Sequence, residues 1–213
     1  KAVQLQVTAV IGAAWSSHCL RVAPVLQQAK IPMITGSSTN PKVTRIGNYI
    51  FRTCFIDSFQ ARAMAHFAFT EMRAKTAVVL EIINEEFSLT LAELFVSSFQ
   101  EYGGKVVLKG SYENDAVDFA NLLNEVKRLQ PDVVYVPGYA RDCGLLIKQA
   151  VSMGIKTTFL GGDGWAGPLL YTSGGNAIQG NYYSAHWHPD VRFPQSAHLQ
   201  ELYDRKYGGV IPH

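Results

Sequence analysis

The sequence predicts a doubly wound α/β protein, and three observations support this fold class. Short β-branched runs alternate with segments of helical period along most of the 213 residues. Strands such as AVVLEII and DVVYV are continuously apolar, which is typical of parallel sheets covered by helices on both faces. Glycines follow several of the helical segments, as expected at helix ends. Together these patterns indicate repeated βαβ units.

The elements fall into two series. The first series is predicted as strand 7–12, helix 16–30, strand 31–35, strand 49–55 and helix 57–72. The second is strand 76–83, helix 87–103, strand 105–112, helix 119–129, strand 132–138, helix 141–154 and strand 157–162, followed by a Gly-rich region. An aromatic strand then begins the segment 180–194, and a polar helix follows at 198–209. Asp57 is predicted to cap the helix that it opens, while Gly103 and Gly154 end theirs.

The chain is predicted to pass between two lobes near residues 55 and 187. After the strand YIFRTCF a new βα series starts, as if the chain had left one sheet for another. Residues 1–55 are therefore assigned to part of a first lobe, residues 56–186 to a second lobe, and residues 187–213 to a return to the first. The first lobe is expected to be incomplete, because it starts inside a βα series.

Composition argues against several classes of function. Apolar residues make up 47% of the chain and charged residues 17%, which is sufficient for a large core and unlike a disordered chain. The net charge of +2 is spread evenly, so binding to nucleic acid or to a membrane surface is not expected. No apolar stretch reaches the roughly 20 residues of a spanning helix, and the N-terminus lacks a signal-peptide pattern. The chain is expected to be cytosolic or to have had such a segment removed.

The three cysteines, Cys19, Cys54 and Cys143, lie far apart without C-x-x-C spacing. This spacing argues against a zinc knuckle or a redox pair. We expect them to be buried as small apolar side chains, although one disulfide remains compatible with the sequence.

Polar and aromatic side chains follow the predicted strands at the edge where ligands bind in doubly wound sheets. They are Trp15, Ser16 and Ser17; Ser37, Ser38, Thr39 and Asn40; Phe87 and Ser88; Tyr139; and Asp163 and Trp165. Taken singly, the hydroxyls suit helix caps and turns, and the aromatics suit packing between lobes. Taken together they suit a small zwitterion, with hydroxyls and helix-start amides for a carboxylate and Asp163 for an ammonium group.

The same residues carry a family resemblance. The ordered segments VIGAAWSS, IPMITGSSTNP, YIFRTCFIDSFQARAMAHF, PDVVYVPGYARDCGLLIKQA and GIKTTFLGGDGW resemble the type I periplasmic solute-binding proteins that serve branched-chain amino-acid uptake. The resemblance implies two doubly wound Rossmann-like lobes, the first incomplete here, that close by hinge motion over a solute. It also implies an extracytoplasmic receptor that hands its ligand to an ABC permease, a monomer without a cofactor.

The resemblance assigns roles residue by residue. Ser16 and the loop from Ser37 to Thr39 would hold the ligand carboxylate, Tyr139 would line the cleft, and Asp163 would take the ammonium group. Two departures bear on the ligand: the acid is Asp where branched-chain binders have Glu, and Phe87 stands where they often have Tyr. Trp15 and Trp165 would narrow the side-chain pocket. A ligand other than Leu, Ile or Val, including an aromatic or carboxylate solute, is compatible with these differences.

The sequence gives less support to other functional classes. An enzyme is not expected, because P-loop, G-x-S-x-G and G-x-G-x-x-G motifs are missing and Cys143 has no evident base. His186 and His188 alternate on an extended segment and could bind zinc, but no third ligand lies nearby in the sequence. A ligand-sensing domain of a receptor or regulator remains an alternative to a transport receptor.

Overall fold

The structure, a computed structural model, describes residues 1–188, 190–191 and 193–209. It contains two parallel sheets, one of three strands and one of five. The carboxyl ends of the two sheets face the same cavity, and this arrangement determines where the candidate site lies.

The smaller sheet is formed by the N-terminal part of the chain. It contains β1 (Val10–Ile11), β2 (Met33–Thr35) and β3 (Ile50–Arg52) in that order, and helix α1 (Ser16–Gln28) connects β1 to β2. Met33 pairs with both Val10 and Ile50, and all pairs are parallel. Cys19, Ala23 and Leu26 of α1 pack with Met33 into a small core, because they recur at helical spacing on one face.

The larger sheet and its covering helices are built from residues 57–183. Its elements are α2 (Asp57–His66), β4 (Thr76–Ile82), α3 (Glu86–Glu101), β5 (Lys105–Tyr112), α4 (Ala120–Leu129), β6 (Val133–Val136), α5 (Ala140–Ser152), β7 (Thr158–Gly161), α6 (Pro168–Gly174) and β8 (Tyr182–Tyr183). The strand order is β5-β4-β6-β7-β8, with every pair parallel. The chain adds β5 on one side of β4 and then β6, β7 and β8 on the other, so β4 and β6 flank the switch point where doubly wound sheets bind ligands.

Strand β4 explains why the sequence reads as one apolar run. Val78 and Leu80 point to one face of the sheet, where α4 and α5 cover them. Ala77 and Val79 point to the other face, which α2 and α3 cover. Successive strand residues alternate between faces, so a sheet covered on both sides needs apolar residues at every position. The predicted doubly wound fold is confirmed.

Several predicted boundaries were too long. The strands expected at 7–12 and 49–55 shorten to β1 and β3. In the aromatic segment 180–194, the described residues form a strand only over β8, and residues 189 and 192 lie outside the described part of the chain. The Gly-rich region after β7 contains α6, which the sequence analysis missed. The polar helix predicted at 198–209 is α7 (Pro194–Tyr207), which starts earlier because proline suits the first turn of a helix.

The helix ends were predicted with mixed success. Gly103 and Gly154 follow α3 and α5 with φ angles of +96° and +75°, the left-handed region that glycine adopts easily, as predicted. The prediction that Asp57 caps α2 was wrong. Ile56 is the N-cap of α2, and the Asp57 carboxylate instead accepts a hydrogen bond from the side chain of Gln60.

The cysteines are free thiols, so the disulfide left open by the sequence does not form. Cys19 and Cys143 are buried as predicted, whereas Cys54 is only half-buried. Among the residues that the structure describes, no helix is both long and apolar enough to cross a membrane.

Candidate functional site

A cavity of about 190 Å³ lies between the carboxyl edges of the two sheets. It is lined by Ala14, Trp15, Ser16, Ser37, Phe87, Tyr139, Asp163, Gly164 and Ala166. The first four residues follow β1 and β2, and the other five follow β4, β6 and β7. Six of the eight residues predicted to bind a ligand therefore meet around one space: Trp15, Ser16, Ser37, Phe87, Tyr139 and Asp163.

One side of the cavity, which we call the hydroxyl wall, consists of the loops 13–16 and 35–40. Thr35 is fully buried, and its hydroxyl donates to the Ala13 carbonyl at 2.7 Å. The same oxygen accepts the backbone N–H groups of Ser37 and Ser38 at 3.4 and 3.2 Å. The Ser37 hydroxyl donates to the Ala14 carbonyl at 2.8 Å. Threonine and serine hydroxyls thus fasten the two loops to each other.

Arg52 supports the hydroxyl wall from behind. Its guanidinium donates to the Ser38 carbonyl at 2.7 Å and to the Asn40 carbonyl at 2.9 Å. The Asn40 side chain reaches across to α3, where its amide donates to the Thr90 hydroxyl at 3.0 Å. The side-chain oxygen of Asn40 accepts the Lys42 N–H at 2.9 Å, a contact typical of a turn residue.

Ser16 lies in the first turn of α1, with Trp15 as the N-cap. The Ser16 hydroxyl does not cap its own helix but accepts the backbone N–H of Asn40 at 3.3 Å. Since the start of α1 borders the cavity, its first amides and the positive end of its dipole are directed toward this space. Such a helix start favours an anionic group.

Asp163 lies on the opposite side, in a short helical turn after β7, with its side chain 11% exposed. Its Oδ1 accepts from the Gln60 amide at 2.8 Å, and its Oδ2 lies 2.9 Å from Nε2 of His186. The Gln60 carbonyl oxygen in turn accepts the backbone N–H of Asp163 at 3.1 Å and the Ser184 hydroxyl at 2.7 Å. Gln60 therefore fixes the orientation of this carboxylate.

Asp57 is a second acid at the same site, and it is completely buried. Its Oδ1 accepts from the Gln60 amide at 2.9 Å, so Gln60 bridges the two carboxylates. Burial raises the pKa of Asp57 from 3.8 to about 6, against the opposing effects of Thr39 and Gln60. The Thr39 hydroxyl is close enough to lower this pKa, although the two groups do not form a hydrogen bond of standard geometry.

Aromatic rings close the remaining side of the cavity. The Tyr139 ring stacks on Phe87 with centroids 5.6 Å apart and lies 6.3 Å from the ring of Trp15. The Tyr139 hydroxyl donates to Glu85 at 3.0 Å. Burial and the Glu85 carboxylate raise the pKa of Tyr139, so the phenol stays neutral. These rings present flat apolar surface to whatever enters the cavity.

Two predicted residues do not line this cavity. Thr39 is 1% exposed and lies on the buried side of the hydroxyl wall, where it faces Asp57. Trp165 is also 1% exposed, because its ring packs over Gly161 and its Nε1 donates to the Val136 carbonyl at 2.9 Å. It lines a separate cavity of about 220 Å³, with Tyr171 among the other lining residues. Trp165 therefore does not narrow the space between the sheets.

The histidine pair considered for zinc diverges. His186 contacts Asp163, whereas Nδ1 of His188 lies 3.5 Å from Oδ2 of Asp190. No cluster of three or more potential metal ligands occurs among the described residues.

Four members of the site, Asp57, Gln60, Glu85 and His186, were not predicted from the sequence as site residues. The spacing of Asp57 and Gln60, three residues apart at a helix start, could have placed both on one helical face. No sequence pattern indicated that His186 belongs to the site, because only the path of the chain after β8 brings it to Asp163. Glu85 reaches Tyr139 across the switch point of the sheet.

Comparison with known proteins identifies the family and the relatives of this chain. A profile of the periplasmic binding protein family matches residues 1–213. A Leu/Ile/Val-binding protein homologue from Brucella melitensis is 29% identical over 176 residues, which is 82% of this chain and 48% of that protein. A Pseudomonas aeruginosa protein named for binding leucine, isoleucine, valine, threonine and alanine is 28% identical over 84% of this chain and 48% of its own length.

Solved structures show the same fold. A leucine-binding protein from Thermotoga maritima superposes with a TM-score of 0.94 at 36% identity, covering 98% of this chain and 60% of that one. A branched-chain amino-acid transporter binding protein from Streptococcus pneumoniae, in complex with isoleucine, gives 0.87 at 25% identity over 98% of this chain and 60% of its own. The chain spans about half the length of the curated relatives it matches. On the match over all its residues, the chain belongs to the periplasmic binding protein family.

Proposed function

We propose that this chain is the ligand-binding part of an extracytoplasmic solute receptor of a branched-chain amino-acid ABC transporter. One observation carries the proposal: a cavity of amino-acid size lies between two sheets, with a hydroxyl wall and a helix start on one side and Asp163 on the other. An α-amino acid carries the complementary pair of charges, a carboxylate and an ammonium group. Relatives and solved structures named for binding Leu, Ile or Val support this ligand class.

The carboxylate of the ligand would bind at Ser16 and Ser37. The start of α1 favours negative charge, and both residues line the cavity. The Ser37 hydroxyl already donates to Ala14, and the N–H groups of Ser37 and Ser38 donate to Thr35. The backbone donors for the carboxylate are therefore those of the first turn of α1, which have no partner within the helix.

The ammonium group would bind at Asp163. This carboxylate is partly buried, and Gln60 holds it at both its side chain and its backbone. A charge-assisted hydrogen bond in a partly desolvated site is roughly twice as strong as a neutral one. The ligand side chain would then contact the rings of Trp15, Phe87 and Tyr139, and Trp165 has no part in this pocket.

The proposed mechanism includes closure about two crossings of the chain. We assign 1–55 and 187–213 to one lobe and 56–186 to the other. Two separate sheets with separate cores support the boundary near residue 55. Residues 210–213 of this assignment lie outside the described residues. A ligand that contacts Ser37 on one lobe and Asp163 on the other favours the closed arrangement by its greater affinity for it. The closed receptor, a monomer, would then deliver the solute to a membrane permease.

A second ligand class is a carboxylate without an ammonium group. The observation that favours it is that both oxygens of Asp163 already have partners within the protein. The two classes predict opposite rankings of an amino acid and its des-amino analogue.

A thermal-shift screen of the full-length protein tests the proposal. The panel pairs leucine, isoleucine and valine with their des-amino carboxylic acids, and adds benzoate. A ligand at one hundred times its Kd stabilises the folded protein by about 2.7 kcal/mol, which is a clear rise in Tm. We expect the branched-chain amino acids to give the largest rise. Stabilisation by the des-amino acids alone would favour the second class, and no stabilisation by any amino acid would refute the first.

A further inference from the structure

We propose that His186 is a specificity-determining residue of the cavity, because its imidazole sets the net charge that Asp163 presents to the ammonium group of a ligand. The inference rests on the proposed function and names a residue that the family resemblance did not assign. It follows from the position of His186 on the second crossing, where its ring reaches the acid of the candidate site.

The geometry gives each oxygen of Asp163 its own partner. Oδ1 is held by the Gln60 amide at 2.8 Å, and Oδ2 lies 2.9 Å from Nε2 of His186. The His186 ring is fixed by Phe55, whose centroid is 4.0 Å away. Its side chain is 32% exposed and therefore accessible to solvent. An ammonium group that reaches Asp163 through the cavity therefore meets a carboxylate already paired with histidine.

The protonation state of the imidazole determines the net charge that the Asp163–His186 pair presents to the ammonium group. A neutral imidazole donates its Nε2 hydrogen and leaves the pair with one negative charge, which attracts an ammonium group. An imidazolium cancels that charge, so the pair becomes neutral overall. Histidine is the side chain type that commonly changes charge between pH 5 and 8. The affinity for an ammonium group should therefore fall as the pH falls through this range.

Charged and ionisable groups from the surrounding elements act on the same pair. Asp57 lies on α2, Arg52 and Cys54 lie on and after β3, and Tyr139 lies at the start of α5 beside Glu85; their charges interact with one another and with Asp163. Arg52 is engaged by the carbonyls of the hydroxyl wall. Asp57, with a pKa of about 6, loses its negative charge on acidification and so acts in the same direction.

The test is calorimetric titration of the full-length protein with leucine and with 4-methylpentanoate, its des-amino analogue, at pH 8.0 and 5.5. Leucine keeps its charges at both pH values. For the wild type we expect leucine to bind at least tenfold more weakly at pH 5.5, from one unit charge near the site at an effective dielectric of about 20. The analogue should weaken far less, because it has no ammonium group.

Two variants separate charge from structure. His186→Gln keeps a side-chain amide donor for Asp163 but cannot gain a charge, so its loss of leucine affinity between the two pH values should be at least threefold smaller than in the wild type. His188→Gln is the matched control, because it removes an imidazole from the same segment that faces Asp190 instead. It should retain the full pH dependence.

The outcomes separate this inference from the proposed function. If the wild type binds leucine but His186→Gln shows the same pH dependence, the inference is overturned and the proposed function stands. If leucine weakens no more than its analogue on acidification, the inference is again overturned. If no branched-chain amino acid binds at either pH, the proposed function fails and takes the inference with it.

Discussion

The two sides of the cavity are built from different kinds of polar contact. In the hydroxyl wall, Thr35 and Ser37 donate their protons to backbone carbonyls of the neighbouring loop. On the opposite side, Asp163 pairs with other side chains, Gln60 and His186. The first side therefore depends on neutral, local hydrogen bonds, and the second on ionisable groups brought together from distant parts of the chain.

This difference has a functional consequence. Neutral hydroxyl contacts keep their strength across the physiological pH range, so the carboxylate side of the site should be insensitive to pH. The acid side contains two carboxyls joined by Gln60, one of which has a raised pKa. Of the two sides of the cavity, only the acid side should therefore make stability and ligand affinity depend on pH. The following predictions test that division, from the largest expected effect to the smallest.

Asp163→Ala should weaken binding of a branched-chain amino acid by at least a hundredfold. The change removes the charge that we assign to the ammonium group and leaves Gln60 without that acceptor. Losing a charge-assisted hydrogen bond in a partly buried site costs about 3 kcal/mol. Isothermal titration calorimetry on the full-length protein measures it, with Asp190→Ala, an exposed carboxylate, as the control. Unchanged affinity in Asp163→Ala would contradict the assignment of Asp163 to the ammonium group of the ligand.

Asp57→Asn should stabilise the folded protein by about 2 to 3 kcal/mol at pH 7.5 and by little at pH 4. Folding raises the pKa of this carboxyl, so the folded state binds its proton more tightly than the unfolded state. The resulting penalty is absent below pH 3.8, grows as the pH rises, and is complete above about pH 6.

Urea unfolding of wild type and Asp57→Asn at several pH values between 4 and 7.5 measures this difference. The two stability curves should converge at low pH. Curves that run parallel across the range would show that the buried carboxyl carries no such penalty.

Thr35→Val should destabilise the protein by about 2 kcal/mol, equally at pH 4 and 7.5. The substitution keeps the shape of a fully buried side chain but removes a donor to Ala13 and an acceptor for two backbone N–H groups. Urea unfolding checks it against Thr53→Val, an exposed threonine just after β3, which should cost little. A strong pH dependence of the Thr35→Val effect would contradict the proposed division between the two sides.

Tyr139→Phe should have the smallest effect, a loss of about 1 kcal/mol in stability and at most a few-fold in ligand affinity. The change removes the hydrogen bond to Glu85 but keeps the ring stacked on Phe87. Calorimetry and urea unfolding of the variant measure both quantities. A larger loss of affinity than Asp163→Ala would show that the phenol, rather than the acid, anchors the ligand.

The fold was predictable because its signals are local. Strand β4 reads as an apolar run since both of its faces are covered, and Gly103 and Gly154 mark helix ends through backbone conformations that glycine adopts easily. Short strands were overestimated, because β3 pairs only over Ile50–Arg52 and the apolar residues beyond it do not continue the ladder. Strand order depends on long-range pairing, and no local pattern encodes it.

The candidate site was predictable only in part. Ser16, Ser37, Tyr139 and Asp163 follow strands directly, so the topology of a parallel sheet brings them to one edge. Trp165 lies only two residues after Asp163, yet its side chain is buried in the core, where its indole N–H donates to the Val136 carbonyl. Contacts such as Gln60 to Asp163 join residues far apart in the chain, and they depend on packing between helices that sequence spacing does not determine.

The most direct test of the central claim is a crystal structure of the full-length protein with the amino acid that gives the largest thermal shift. We predict the ligand in the cavity between the two sheets, with its carboxylate within hydrogen-bond distance of the start of α1 and Ser37, and its ammonium group on Asp163. A ligand bound in the reverse orientation, or in the separate cavity beside Trp165, would contradict the account.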